Sequence, residues 1–487
     1  MIGTRPAPRF FSGEKFLHHT ASLVCGMVFA YALTALAVPV LSRLYSPEQF
    51  GAFGFFMACA NMCGILAAFR YEQAIPLPAE DTAAFSLLAL CLVILTATCL
   101  AVGVGGMALS GICAEVFSKK IVFDHMHYIP VFMFSMGGYN IFTQWAIRKK
   151  LFPVIAGGRV MQCGSRSLAQ ISLYFFSSGI FGLVVGEILG KIAGAFYCFK
   201  KSWNVFLTMR SAAHPKRIYS AAVKYRAFPL VNAPTAVIDQ MQQEVPVLLF
   251  TFFTTPLLTG CYYLAEKVLM LPGMLVGQAL AQVYLTRALE KFTAGGLDRD
   301  IEKFLTAMIR LALFPFCLSS LFAPDVFAFF LGEAWRMSGE MLTWLAFAFF
   351  LKFLFSPLAV VFVATQQLRL AFANSCFSLA LRLGGGCLGF ALFPQSYAVV
   401  ALTVAMSAAS LYGLHLVCKA SVAKRAVIIR RCAPEILCSV AVLLAFHISG
   451  GFAVRAAILT CCCIAYSIRA GHLFFRVWKS KTHSDIG

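Results

Sequence analysis

Charge is what this sequence is short of. Of its 487 residues only 12% are Asp, Glu, Lys or Arg, about half of the roughly 25% a soluble domain carries, while 60% are hydrophobic and the mean hydropathy is +0.81. Too few charged side chains remain to coat a globule of this length in water, which excludes a large soluble domain. Acidic residues are the scarcer, 20 against 40 basic ones. The spacings that carry chemistry are missing as well. There is no CxxC pair, no Cys/His ligand set, no GxSxG elbow, no P-loop and no HExxH, so no catalytic residue, resident metal or organic cofactor is expected. His125 and His127 beside Asp124 are too sparse a set to hold a metal. The 18 cysteines fall mostly inside apolar runs, as at Cys91, Cys99, Cys198 and the triplet Cys461, Cys462 and Cys463, where they read as small hydrophobes. No nucleic-acid partner is expected, because the basic residues occupy short loops between apolar runs and form no aqueous face. No cleavable signal is expected either: Arg5, Arg9 and Lys15 precede an apolar run too long for a signal core.

What the sequence has in abundance is apolar runs of about 20 residues, the length that spans a bilayer. They predict fourteen transmembrane helices, near 22–41, 51–69, 83–108, 128–147, 152–176, 179–199, 228–253, 260–285, 304–322, 341–363, 370–393, 397–417, 432–450 and 454–475. With the N-terminus cytoplasmic, 28 of the 40 Lys and Arg fall on the cytoplasmic side, 5 on the other and 7 inside helices. That asymmetry predicts cytoplasmic N- and C-termini, an even number of spans and basic loops that meet anionic lipids. The longest basic loop, Lys200 to Arg226, divides the chain. An echo at an offset of 209 residues supports the division: Ser46-Pro47-x-x-x-Gly51-x-Phe53 is answered by Thr255-Pro256-x-x-x-Gly260-x-Tyr262, and Lys15-Phe16 by Lys224-Tyr225. The expected architecture is all-α and integral to the membrane: a six-helix lobe (1–199), a basic linker (200–227), a second six-helix lobe (228–417) and a terminal helix pair with a basic tail (418–487).

Charge inside a bilayer is costly and faces a partner or a wet cavity. The intramembrane cations are Arg159, Arg166, Lys191, Lys267, Arg310, Lys352 and Arg382, and the anions Glu187, Asp239, Glu244 and Glu266. Seven against four leaves a positive interior suited to an anionic passenger. Arg159, Gln162, Arg166 and Gln170 share one helical face, with the two guanidinium groups about 10 Å apart along it. They are set to grip phosphate or sugar hydroxyls, or else to pair with Asp239 or Glu244 across the lobes. Asp239, Gln240, Gln242, Gln243 and Glu244 crowd one stretch that lipid would not tolerate, with Asp239–Gln243 and Gln240–Glu244 at i, i+4 and with Pro229, Pro234 and Pro246 as candidate kinks. Glu187 and Lys191 form a self-neutralising i, i+4 pair beside the ridge Gly182, Gly186, Gly190 and Gly194, which reads first as a packing surface. Gly384, Gly385 and Gly386 read the same way.

Two blocks of residues resemble a known family. One is Leu44-Tyr45-Ser46-Pro47-Glu48-Gln49-Phe50-Gly51 with Arg70-Tyr71-Glu72-Gln73-Ala74-Ile75-Pro76-Leu77-Pro78. The other comprises Tyr225-Arg226-x-Phe228-Pro229, Pro246, Gly260-x-Tyr262-Tyr263-Leu264-Ala265, Leu271-Pro272 and Gly332-Glu333-x-Trp335. Both are similar to Wzx-type polysaccharide and O-antigen flippases of the multidrug/oligosaccharidyl-lipid/polysaccharide exporter superfamily, although Lys267 stands where that family often carries Arg. The resemblance implies a V-shaped pair of lobes around a cationic cavity in the bacterial inner membrane. It implies, as substrate, a lipid-linked anionic glycan on undecaprenyl pyrophosphate, moved to the outer leaflet by alternating access for lipopolysaccharide or polysaccharide biosynthesis. Polysaccharide polymerase and glycosyltransferases are the implied partners. A Na+ or H+ gradient is the implied drive, with Glu187, Lys191, Asp239, Glu244 and Glu266 as coupling or charge-pair candidates. Substrate contact falls to Arg159, Gln162, Arg166, Gln170, Gln240, Gln243, Lys267, Arg310, Lys352 and Arg382. The rival readings are a drug/cation antiporter or lipid II flippase of the same superfamily, a membrane glycan polymerase, and a non-transporting scaffold.

Overall fold

The computed structural model describes residues 13–117, 125–176, 179–209, 214–394 and 398–421. Among them the chain is helical and connected by short turns. The first half contributes α1 (Gly13–Leu44), α2 (Pro47–Gly64), α3 (Asp81–Phe117), α4 (Ile129–Arg148), α5 (Phe152–Tyr174) and α6 (Phe181–Met209). A short helix, α7 (Pro215–Lys224), follows. The second half contributes α8 (Ala233–Phe253), α9 (Pro256–Pro272), α10 (Gln278–Ala294), α11 (Leu297–Leu331), α12 (Arg336–Leu358), α13 (Val360–Ala364), α14 (Leu368–Leu392) and α15 (Ala398–Ser421). A π-helical turn at Gly273–Gly277 joins α9 to α10 as one bent rod, and another at Phe228–Asn232 opens α8 where Pro229 and Pro234 deny backbone donors. Pro246 is accommodated inside α8. Counting α9–α10 and α12–α13 as single rods gives six rods on each side of α7. The predicted terminal pair, 432–450 and 454–475, lies outside the described residues.

Seven of the described helices are long and apolar enough to cross a membrane by composition alone. Those that fall short, α2, α4, α5, α8 and the α9–α10 rod, are shorter, interrupted, or carry polar residues, as α4 does at Asn140 and Gln144. Polar helices survive in lipid when their neighbours shield them. The segment read from the sequence as a basic loop is largely helical among its described residues: α6 runs on to Met209, and α7 spans Pro215–Lys224. Tyr71 on the α2–α3 turn donates from its hydroxyl to the Ala222 carbonyl of α7 at 3.0 Å, fastening that helix to the first lobe.

The internal echo has a structural meaning. α2 packs more extensively on α9 of the other half than on any helix of its own. Both begin alike: Ser46 caps α2 through the Gln49 amide in a capping box, and Thr255 caps α9 through the Leu258 amide. The two first turns then cross at their glycines. A Cβ on Gly51 would overlap the Pro256 carbonyl oxygen, and one on Gly260 would overlap that of Pro47. Each helix therefore offers its proline carbonyl to the other's glycine, a reciprocal contact of the kind that two copies related by a twofold make.

Candidate functional site

The glycine ridge of α6 sets the first lobe. Gly186 lies against Gln170, Gly190 against Arg166 and the Gln162 carbonyl, and Gly194 against Tyr139 and the Gly158 carbonyl. Any side chain at these positions would push α5 away, so the ridge is a packing surface, and it draws the polar face of α5 onto α6. This alters the reading of that face. Gln162 and Gln170 are buried, not displayed: the Gln170 amide donates to the Leu183 carbonyl at 3.1 Å, and Gln162 accepts from Arg159 at 3.1 Å. The arginines do not pair with Asp239 or Glu244 either. Arg166 lies 3.5 Å from Glu187 and donates to the Thr34 hydroxyl at 2.7 Å, while Arg159 donates to the Tyr31 hydroxyl at 3.2 Å and stacks over that ring. Lys191 reaches Glu187 at 3.7 Å and sits above the Phe132 ring. One buried carboxylate is thus shared by two cations, with a third beside it. The cluster is held by α1, α5 and α6.

In the second lobe the buried charges are less tightly paired. Glu244 accepts from Gln240 at 2.7 Å, as its i, i+4 spacing predicts, and from Asn61 of α2 at 3.0 Å, a hydrogen bond between the lobes. The expected Asp239–Gln243 side-chain pair is replaced by two local bonds: Gln242 donates to the Asp239 carboxylate, and Gln243 to the Asp239 carbonyl. Lys267 lies over the Tyr263 ring at 4.7 Å and within electrostatic range of Glu187 in one lobe and Glu244 and Glu266 in the other. Glu266 is buried on α9 and lies in the field of Lys267, Lys352 and Arg382. Lys352 stands over the Phe349 ring, and Arg382 donates to the Gln242 carbonyl. Arg310 is exposed on α11 and lies outside this buried set.

Lys267 therefore links two clusters, Arg159–Arg166–Glu187–Lys191 and Glu244–Glu266–Lys352–Arg382. Together they place six cations against three anions, with Asp239 at the margin. Planar guanidinium groups with fixed hydroxyl partners are preorganised donors for phosphate or carboxylate oxygens. Tyr31, Thr34 and Asn61 are single residues with no periodic signal and escape the sequence, while Tyr263 stands there only within the family resemblance. An isolated Asn in the apolar stretch 51–64 is the one that could have been flagged.

The lobes also meet beyond the glycine crossing. Trp335 stacks edge-on to Phe50 at 5.1 Å and donates from its indole nitrogen to the Ser42 carbonyl at 2.7 Å. The Ser42 hydroxyl in turn donates to the Leu331 carbonyl. Together with the crossing, these contacts seal the interface on the face that carries the α1–α2 and α8–α9 turns.

Comparison with known proteins agrees with this architecture. The lipid II flippase MurJ in an inward closed conformation superposes with a TM-score of 0.69, at 12% identity, over 95% of this chain and 99% of that one. An inward-facing multidrug resistance MATE transporter of the MOP superfamily gives 0.57 at 14% identity, over 80% and 94%. A MOP superfamily transporter from Pyrococcus furiosus gives 0.55 at 13%, over 82% and 94%. At such identities these likenesses establish a common fold. No curated protein matches the chain by sequence. The model of one family, described as polysaccharide biosynthesis protein, matches residues 40–340, from the end of α1 into α12. This multi-pass, all-helical membrane protein, with the fold of the MOP transporters, belongs to the polysaccharide biosynthesis protein family.

Proposed function

We propose that the chain is a flippase of the inner membrane, not an enzyme, that turns an undecaprenyl-pyrophosphate-linked glycan from the cytoplasmic to the outer leaflet. The observation that carries the reading is the buried, cation-rich set shared by two lobes of a transporter fold, in a member of a polysaccharide biosynthesis family. Two guanidinium groups and Lys267 supply the positive field that a pyrophosphate needs inside a low-dielectric membrane, and the amides of α8 suit sugar hydroxyls.

Alternating access supplies the movement. In this reading the face bearing Arg70 and α7 is cytoplasmic, which the excess of basic residues in its loops supports, and the sealed face is the outer one. The passenger enters from the cytoplasmic leaflet, neutralises the Arg159–Arg166–Lys191 cluster and leaves when the glycine crossing parts. Of the coupling candidates, Glu187 is already held by two cations. Glu244 and Glu266 have no basic group within 4 Å among the described residues, and they become the carboxylates best placed to take up Na+ or H+. A lipid II passenger is the second reading, favoured by the superposition on nearly the whole of MurJ.

Arg159→Ala and Arg166→Ala are expected to lower surface glycan severalfold at unchanged protein abundance, measured by quantitative labelling of the glycan beside immunoblots. Normal surface glycan in both would sink the assignment of this cluster. Rescue of a strain depleted of its lipid II flippase would instead favour the second reading.

A further inference from the structure

The second lobe holds a cavity that shares Lys352 and Arg382 with the second cluster and adds polar side chains that the cluster does not use. It has a volume of about 380 Å³ and lies wholly among α8, α12, α13, α14 and α15. Asp239, Gln242 and Gln243 line one side, Lys352 and Ser356 another, Asn374, Ser375, Ser378 and Arg382 a third, and Ser410 a fourth. At about 30 Å³ per water this is room for about a dozen waters, the size of one sugar ring. No residue of the first lobe contributes.

The wall is built for a ligand, not merely wet. Arg382 and Asn374 are each more than nine-tenths buried, and the Nε of Arg382 and the Oδ1 of Asn374 have no hydrogen-bond partner. A native interior seldom strands such atoms unless something else satisfies them. Neither Lys352 nor Arg382 has a carboxylate within 4 Å among the described residues, and the single carboxylate on the wall, Asp239, is already engaged by the Gln242 amide. Two cations against one anion, of which Gln242 engages a single oxygen, disfavour a metal ion or an organic cation. Serine hydroxyls, two glutamines and the free Asn374 oxygen suit a ligand with several hydroxyl groups.

We propose that this cavity is a second binding site, internal to one lobe, for a hydroxylated anion of sugar-acid type. Its carboxylate lies between Lys352 and Arg382, and its hydroxyls donate to Asn374 and Asp239. The site deepens the proposed function and rests on it in one respect: an acidic residue of the translocated glycan is one natural source of such a ligand, and a free sugar acid is the other.

The test is isothermal titration of the purified full-length protein in detergent with glucuronate, glucose and inorganic phosphate. Glucuronate is expected to bind, with glucose and phosphate at least tenfold weaker. Equal binding of glucose and glucuronate would overturn the role of the two cations, and equal binding of phosphate would overturn the role of the hydroxyl contacts. Lys352→Gln is expected to weaken glucuronate roughly tenfold. Ser378→Leu, which fills the cavity and keeps every charge, is expected to abolish binding. Lys149→Gln, which removes a first-lobe cation paired with Asp81 and outside the substrate cluster, is expected to leave it intact. Glucuronate binding that survives both Lys352→Gln and Ser378→Leu would place the ligand elsewhere and refute the site. These measurements need no export, so they stand or fall separately from the flippase reading. The source is then read in cells: Ser378→Leu impairs glycan export if the glycan supplies the ligand and spares it if a free sugar acid does.

Discussion

Adding one methyl group at Gly260 tests how the lobes are held together. A Cβ there would overlap the Pro47 carbonyl oxygen and stand 2.8 Å from the Gly51 nitrogen, both main-chain atoms that cannot rotate away as a side-chain tip does. The first turns of α2 and α9 must separate to admit it. Overpacking of this kind costs about 1–3 kcal/mol. The strain exists only while the crossing is closed, so it acts as a differential free energy between sealed and open forms. A bias of that size shifts their ratio by roughly 5–150-fold. The assay is labelling of Phe53→Cys by a membrane-impermeant maleimide, in a background stripped of the 18 native cysteines. Phe53 is buried beside the crossing and packs edge-on to Tyr263. Gly260→Ala should raise its labelling rate by at least fivefold. Gly384→Ala, where an added Cβ meets nothing within 4 Å, should leave the rate alone. Unchanged labelling in a stably inserted Gly260→Ala protein would mean that this contact does not gate the interface.

Two further outcomes follow from the buried charges. Glu187→Ala leaves Arg166 and Lys191 without their shared carboxylate and should destabilise the protein by about 3–5 kcal/mol in thermal unfolding, with partial recovery when Lys191 is also changed to Met; equal melting of the single variant and the parent would contradict the pairing. Glu72, on the α2–α3 turn outside the spans, is buried beside Arg70, and burial raises its carboxyl above the ordinary value. A carboxyl raised in the folded state contributes most at low pH and loses that contribution as pH rises from the ordinary carboxylate range through the raised value. Glu72→Gln should therefore flatten this decline in a pH series of melting temperatures. A steeper decline in the variant would reverse the sign of the argument.

Much of the fold is legible in the sequence because lipid imposes a simple rule: an apolar run of about 20 residues, closed by turn residues, becomes a helix. Twelve of the fourteen expected spans coincide with described rods, and the other two fall outside the described residues. The echo between Ser46–Phe53 and Thr255–Tyr262 was legible as a repeat. That the two copies touch was not, since contact between them depends on the angle at which the lobes pack. The functional set was half legible. Composition marks Arg159, Arg166, Lys267, Lys352 and Arg382 as costly, but periodicity does not reveal which neighbour satisfies each. Gln162 and Gln170 share a face with the arginines and still serve α5–α6 packing, because the glycine ridge pulls that face inward. Of the second-lobe cavity the sequence marks Asp239, Gln243, Lys352 and Arg382 but not that they share one space. Asn374, Ser375 and Ser378 are ordinary on α14, about one to two turns from Arg382, until Lys352 of α12 and Asp239 of α8 converge on them from two other rods.

The account turns on whether this protein moves a lipid-linked glycan. The direct measurement is reconstitution into proteoliposomes with a fluorescent undecaprenyl-pyrophosphate-linked glycan, followed by the appearance of the label in the opposite leaflet. Protein-dependent transfer is expected, reduced at least tenfold in Lys267→Ala. Transfer no faster than in protein-free liposomes, or equal transfer by the parent and Lys267→Ala, would contradict the account.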